Sequence, residues 1–268
     1  MVSWIRNFAA LFTGKPVAVL SAEAPEAIKL LLARRSCRSF SDETLHDEEI
    51  QAILEAGRFA PSTVNLQTWS FLTFTREQWP GTFDRAIPFN GSFAIIICAD
   101  IFRLKNFLPD LQDTPFVNLS LAIFNAGLAA MCMNLAAESL GIRSIMLSET
   151  GRAGLLDSAF LREKLELPET VLPLTTLVLG RSGMQPPGIP PRQPREAVVM
   201  QARYDRDAGA LLADWYEQMF IGYKLTHPLS SFNRQIAFYR KKMIDAEAGV
   251  KDAFVKSGIG INEKPEAQ

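Results

Sequence analysis

The sequence predicts an α+β fold, and three observations carry that prediction. Helical and strand patterns alternate along the chain but keep no regular β-α-β period, which disfavours a doubly wound parallel sheet. The run Ala-Ile-Ile-Ile-Cys-Ala from Ala94 to Ala99 is apolar without alternation and of strand length, so it predicts a central strand covered on both faces. The stretch Phe116–Leu140 repeats at helical spacing and is apolar nearly all round, so the fold must bury a long helix.

The other elements follow in chain order. Residues 1–20 read as an amphipathic arm broken by Gly14-Lys15-Pro16, with no span of about 18 apolar residues and no cleavage pattern. Pro25 opens a helix, since its fixed φ suits the first turn, and Ile28, Leu31 and Leu32 give it a stripe ending at Arg34. Thr44 is the expected N-cap of the next helix, in a variant capping box over Thr44–Asp47. Its apolar face is Ile50, Ile53 and Leu54, and Gly57 is its expected C-terminus. Trp69–Phe74 has the aromatic and β-branched content of a strand.

In the long helix, Ala126, Gly127, Ala129 and Ala130 would admit a second helix closely. Asn118, Asn125 and Asn134 interrupt its apolarity, so it is read as short of a membrane span: a core helix at a subunit interface, ended by Gly141. A short strand is expected at Arg143–Leu147, a helix over Gly154–Leu165, and a strand at Thr175–Leu179 closed by Gly180. Residues 183–195 are dense in Pro and Gly and read as an extended surface connection. Two helical patterns follow, Ala208–Ile221 and Phe232–Ala248, whose aromatic residues read as packing faces, and then a flexible tail at 257–268.

Composition narrows the function classes. A chain of 268 residues makes one large domain or two small ones, and a net charge of −1 supplies no field for nucleic acid or an anionic membrane. The three cysteines, Cys37, Cys98 and Cys132, lack C-x-x-C spacing, which argues against a disulfide framework or a zinc or iron–sulfur site and fits a reducing cytoplasm. His46 and His227 are the only histidines and both fall in turn contexts, so a Ser–His–Asp or Cys–His mechanism and a histidine metal site have poor material. With no Gly-rich phosphate loop either, the chemistry points to a bound cofactor that carries the reactivity, so no catalytic side chain and no metal ligand is assigned.

Two stretches could hold such a cofactor. Arg34-Arg35-Ser36-Cys37-Arg38 packs guanidinium groups, which grip phosphate oxygens in bidentate fashion, beside hydroxyls. The bland alternative is a solvated cluster neutralised by the acidic run Asp42–Glu49. The second stretch, Ala60–Trp69, is a turn-forming loop with Ser62, Asn65 and Gln67 in close succession, and Arg192 adds a distant cation.

Five short motifs in order extend this reading: Arg34-Arg-Ser-Cys-Arg-Ser-Phe40, Pro61-Ser-Thr-Val-Asn-Leu-Gln-Thr-Trp69, Asn118-Leu-Ser-Leu-Ala122 with Gly127–Ala130, Leu177-Val-Leu-Gly180 and Arg192-Gln-Pro194. With them the chain resembles the nitroreductase family of FMN-dependent NAD(P)H oxidoreductases over about Pro25–Tyr204. The resemblance implies a three-layer sandwich, a central mixed or antiparallel sheet flanked by helices, in an intertwined homodimer with two FMN at the interface. It divides the chain into an arm (1–24), an FMN-binding domain (25–204), a helical extension packing on the dimer (205–256) and the tail (257–268). The same domain elsewhere in the family is sometimes fused to a ferredoxin, whose cysteine cluster this sequence lacks.

By motif position the resemblance assigns the cofactor contacts. Arg34 and Arg192 would hold the FMN phosphate, with Arg35 beside them, and Ser36 would bond the phosphate or ribityl chain. Arg38 would sit near the pyrimidine edge as an electrostatic stabiliser. The loop with Pro61, Ser62, Thr63, Asn65 and Gln67 would come from the partner subunit. Met146, Leu147 and Ser148, in a segment reaching Glu149, would cover another region of the ring through the backbone. Hydride would pass from NAD(P)H through flavin N5 to a nitroaromatic, quinone or similar acceptor in a ping-pong scheme. Reductive dehalogenation, flavin fragmentation, or flavin binding without turnover are the alternatives. The chain departs from the family pattern at Gln67-Thr68-Trp69, where Gln-Pro-Trp is usual, and at Pro190, where a cation is often found and for which Arg195 could substitute.

Overall fold

The apolar run at 94–99 folds as expected, inside strand β2 (Phe93–Asp100), of which every residue is buried. The computed structural model describes residues 2–14, 25–109, 113–148, 154–184 and 188–256. The expectations for Glu149 and for the tail at 257–268 fall outside the described residues. The chain divides into two compact units, Met1–Arg35 with Gln185–Lys242, and Ser36–Met184 with Met243–Gln268.

The unit that begins at Ser36 is built on a sheet of order β1-β2-β4-β3, with β1 at Trp69–Thr75, β3 at Arg143–Leu147 and β4 at Val171–Gly180. All three ladders are antiparallel, and one isolated parallel bridge joins Ser36 to Ser144. Alternation along β2 sorts its side chains. Ile95, Ile97 and Ala99 enter a cluster with α3 (Asp47–Arg58) and α5 (Pro115–Ser139). Ala94, Ile96 and Cys98 enter a second cluster with Trp79 and Phe83 of α4 (Gln78–Phe83) and Leu161 of α6 (Ser158–Lys164). The sheet is therefore covered by helices on both faces, which is the α+β sandwich expected. Each fully buried isoleucine contributes roughly 2–3 kcal/mol.

Several expectations are corrected. The N-cap of α3 is His46, not Thr44, because Glu49 accepts from the His46 N–H at 3.0 Å and so sets the first turn two residues later. Gly57 is not a terminator: α3 runs on to Arg58, and a Cβ at Gly57 would lie 2.1 Å from Met133 Cε, so the glycine serves close helix packing. Strand β4 begins at Val171, ahead of the expected start. Pro173 faces Cys98 at the register shift after Ile97, where the ladder does not require its missing N–H. Helix α4 has no sequence signature, since Pro80 and Gly81 disfavour it. Pro80 lies in the first turn, where its N–H would be unpaired anyway, and burial of Trp79 and Phe83 holds the helix.

Helix α5 ends as expected at Gly141, whose φ is +70°. By length and composition it does meet the requirement for crossing a bilayer, contrary to the sequence reading, and it is the one helix among the described residues that does. Its packing makes it a core helix: Leu119, Ala122, Ala126, Ala129, Met133 and Ala137 are fully buried against the sheet and α3. It is not buried on every side within one chain, however. Phe116 and Phe124 are 62% and 61% exposed.

In the other unit, α1 (Val2–Thr13) and α2 (Glu26–Ala33) are joined by α7 (Arg195–Val198), α8 (Leu212–Thr226) and the first part of α9 (Phe232–Lys256). The N-terminal arm packs on its own chain: Ala10 and Leu11 are buried, the Ile189 N–H donates to Ala10 O, and Asn7 donates to Gln218 at 2.5 Å. Residues 188–194 have no regular secondary structure, as expected for the Pro-rich connection. Tyr223 stacks on His227 at 4.2 Å and contacts Phe232, so the aromatics of the two last helices form a packing face.

Candidate functional site

The predicted residues fall into three places. Ser36 and Arg38 lie on a segment that runs beside β3, through the Ser36–Ser144 bridge and a 2.9 Å bond from the Cys37 N–H to Ser144 O. Met146 and Leu147 end that same strand and Ser148 follows it, so the structure brings these two predicted groups together. The loop Pro61–Gln67 precedes β1, at the opposite edge of the four-stranded sheet. At about 4.8 Å per strand step, that is roughly 14 Å across. One chain therefore does not join the loop to the other two groups. Arg34, Arg35 and Arg192 belong to the other unit.

The Arg38 segment is firmly anchored. Below it, Ser144 accepts from Asn134 Nδ2 at 2.7 Å, and buried Glu138 pairs with Arg143 at 3.1 Å. Beyond it, the Phe40 N–H donates to Phe89 O, and the Ser41 N–H to Arg181 O at 2.8 Å. Arg76 donates to Ser41 O, Asn90 O and Gly91 O and pairs with Asp42 at 3.2 Å. The Asn90 amide and then Arg76 hold the Asp42 carboxyl below the usual carboxylate range. Nearby, Arg181 pairs with Glu49 at 2.5 Å. Burial pushes Glu49 upward, but the His46 N–H and Arg181 outweigh it and the carboxyl is lowered.

The loop is built under strain. Val64, Asn65 and Gln67 have φ of +51°, +57° and +50°, a region that side-chain-bearing residues seldom occupy and a β-branched residue almost never. Buried Asn125 of α5 accepts from both Thr63 N and Thr63 Oγ1, at 3.1 and 3.2 Å, and donates to Thr68 Oγ1 at 2.9 Å. Ser62 Oγ accepts from the Gln67 N–H at 3.0 Å. Arg103, paired with Asp100 at 2.8 Å, donates to Gln67 O and Trp69 O. Pro61 and Asn65 are exposed, as is Val64 at 84%.

The arginines divide by their partners. Arg35 is buried and donates to Leu32 O, Arg34 O and Gly14 O at 2.7–2.9 Å, so its guanidinium is engaged by main chain. Arg34, which caps α2, and Arg38 and Arg192 have no carboxylate partner among the described residues. Free guanidinium groups, the hydroxyls of Ser36 and Ser62 and the amides of Asn65 and Gln67, with no acidic side chain among them, are donors suited to an anionic, carbonyl-rich ligand. The donor set thus fits a phosphorylated flavin. Cys98 adds nothing, since burial pushes its thiol up to about 12. No group of three or more potential metal ligands occurs among the described residues.

Sequence reasoning missed the supports: Asn125, Arg103, Asp100, Arg76, Asn134 and Glu138. A signal existed for Asn125 and Asn134, as polar side chains in a helix otherwise apolar all round require partners. None existed for Arg76 or Arg103, whose partners are chiefly backbone carbonyls.

Comparison with known proteins bears on the same residues. The profile of the nitroreductase family matches residues 31–80, which hold both the Arg38 segment and the strained loop. The oxygen-insensitive NADPH nitroreductase of Salmonella typhimurium is 32% identical over 72% of this chain and 80% of its own length. An FMN reductase (NAD(P)H) of Bacillus subtilis is 32% identical over 67% of this chain and 74% of its own. Among solved structures, the hypothetical oxidoreductase YcnD of Bacillus subtilis superposes with a TM-score of 0.73 at 28% identity, covering 88% of this chain and 98% of its own.

Proposed function

The chain belongs to the nitroreductase family, and from that premise we propose that it is an FMN-dependent NAD(P)H oxidoreductase acting on a nitroaromatic, quinone or similar small acceptor. The observation that carries the reading is a donor set with no carboxylate partner among the described residues: the guanidinium groups of Arg34, Arg38 and Arg192, the hydroxyls of Ser36 and Ser62 and the amides of Asn65 and Gln67. Within it, the Ser36–Arg38 segment and the Ser62–Gln67 loop lie at opposite edges of one sheet. FMN supplies the hydride chemistry when bound.

The chain's own residues bind and orient. Arg34 and Arg192 hold the phosphate and Ser36 bonds the phosphate or ribityl chain, while Arg35 fixes the turn that carries Arg34. Arg38 sets a fixed positive charge at the edge of the ring, which stabilises negative charge developing there. Backbone groups of Met146–Ser148 cover the ring from the β3 edge. Pro61, Ser62, Thr63, Asn65 and Gln67 line the site from a second copy of the chain, since their own copy holds them at the β1 edge. The exposed apolar side of α5, with Phe116, Leu121 and Phe124, supports such a homodimer. In this reading 25–204 is the FMN-binding part and 205–256 extends over the dimer. A donor and an acceptor take turns at one open face of the ring, in the cytoplasm where NAD(P)H is at hand.

The test is anaerobic. FMN-loaded protein mixed with NADH, and separately with NADPH, should lose its visible flavin absorbance and regain it on adding a quinone or nitroaromatic. Persistent colour with both donors would refute the proposal.

A further inference from the structure

We infer that Asn125 is a positioning residue for the reaction, acting through the loop that it holds. The inference rests on the proposed function, because it takes this loop to border the flavin. The orientation of the side chain is fixed by chemistry: a backbone N–H can only donate, so the atom facing Thr63 N is the amide oxygen, and Nδ2 therefore faces Thr68 Oγ1. Asn125 is 1% exposed, and its three bonds span both ends of the loop. Between those ends lie all three left-handed residues of the loop, Val64, Asn65 and Gln67.

Such a backbone persists only where its surroundings over-determine it. Local bonds alone do not: Asn65 N–H to Ser62 O, Leu66 N–H to Thr63 O and Gln67 N–H to Ser62 Oγ would equally close an ordinary turn. Arg103 holds only the exit, at Gln67 and Trp69. Among the described residues outside the loop, Asn125 is the side chain that bonds both entry and exit, and it does so from α5, whose next turns are packed into the core by Ala126, Ala129 and Met133. The side groups of Ser62, Asn65 and Gln67 thus take their placement from a helix amide that never reaches the surface. A shift of about 1 Å in such a loop is enough to cost on the order of a hundredfold in rate when the reacting groups must be aligned.

The experiment compares Asn125→Ala, Asn125→Asp and Thr68→Val in FMN-loaded protein. Asp keeps the acceptor for Thr63, and the Thr68 hydroxyl can turn to donate to it. For Asn125→Ala we expect kcat to fall by roughly ten- to a hundredfold, FMN affinity to stay within about threefold, since the phosphate ligands are elsewhere, and amide exchange over residues 63–67 to accelerate. Asn125→Asp should recover most of kcat and restore the exchange protection, and Thr68→Val should fall between. If Asn125→Ala does not fold, the ordering of Asp and Thr68→Val carries the same test. Unchanged kcat in Asn125→Ala, or an Asp variant as slow as Ala despite a protected loop, would overturn the inference. Exchange is measured without turnover. A wild-type protein that NAD(P)H cannot reduce would thus defeat the functional reading and with it the kinetic role, and the exchange data would still show whether Asn125 holds the loop.

Discussion

Two polar segments of the same unit are built in opposite ways. The segment Ser36–Asp42 is fixed at many points and shows no left-handed residue: Ser144 holds its start, and Phe89, Arg181 and Arg76 hold its end. The loop Ser62–Thr68 has three left-handed residues and one buried amide spanning it. A fixed charge such as Arg38 acts best when it does not reorganise, which redundant anchoring provides. A loop that must present several short polar groups at close spacing gains them by accepting strain, and strain needs a specific clamp.

The largest expected effect sharpens the first half of this contrast. Arg76→Ala removes donors from four carbonyls, those of Ser41, Asp42, Asn90 and Gly91, and from the Asp42 carboxylate, so chemical denaturation should report a loss of about 2–3 kcal/mol. Arg76→Lys should recover little, because an ammonium lacks the planar fork that serves several carbonyls at once. A loss below about 0.5 kcal/mol would mean that the anchoring is redundant beyond what Arg76 contributes.

A smaller effect addresses the loop. Val64→Gly relieves a β-branched residue at φ +51°, worth about 1–2 kcal/mol, against roughly 0.5–1 kcal/mol for the added freedom of glycine in the unfolded chain. The net gain should be about 1 kcal/mol or less in the same assay. A clear destabilisation would show that the loop is not strained in solution.

The smallest effect is on pH dependence. Asp42 and Glu49 both have lowered carboxyls in the folded chain. Each therefore adds stability that is present above its unfolded pKa and lost as pH falls through the folded one. Thermal stability should be level from neutral pH to about 5 and should decline below about 4. Asp42→Asn should make that decline shallower, and the difference should shrink in high salt because the carboxylate is exposed. An unaltered acid limb would remove Asp42 from the anchoring.

Much of the fold was legible because it rests on patterns with one solution. The β-branched apolar hexapeptide at 94–99 became the inner strand it predicts, and Gly141 follows its helix at positive φ. What was not legible depends on contacts distant in sequence. Thr44 and His46 are both plausible caps until Glu49 chooses one, and Gly57 looks like a terminator until Met133 packs over it. In the candidate site, residue types could be read from the motifs. The placement of the strained loop and the Arg38 segment at opposite sheet edges could not, because strand order is not written in local sequence.

The most direct test of the account is FMN titration of the apoprotein, followed by fluorescence quenching, for the wild type and for Arg34→Ala/Arg192→Ala. Each charge-assisted bond to phosphate is worth roughly 1.5–3 kcal/mol, so the double variant should bind FMN at least about a hundredfold more weakly while riboflavin binding changes little. Equal FMN affinity in the two proteins would contradict the account.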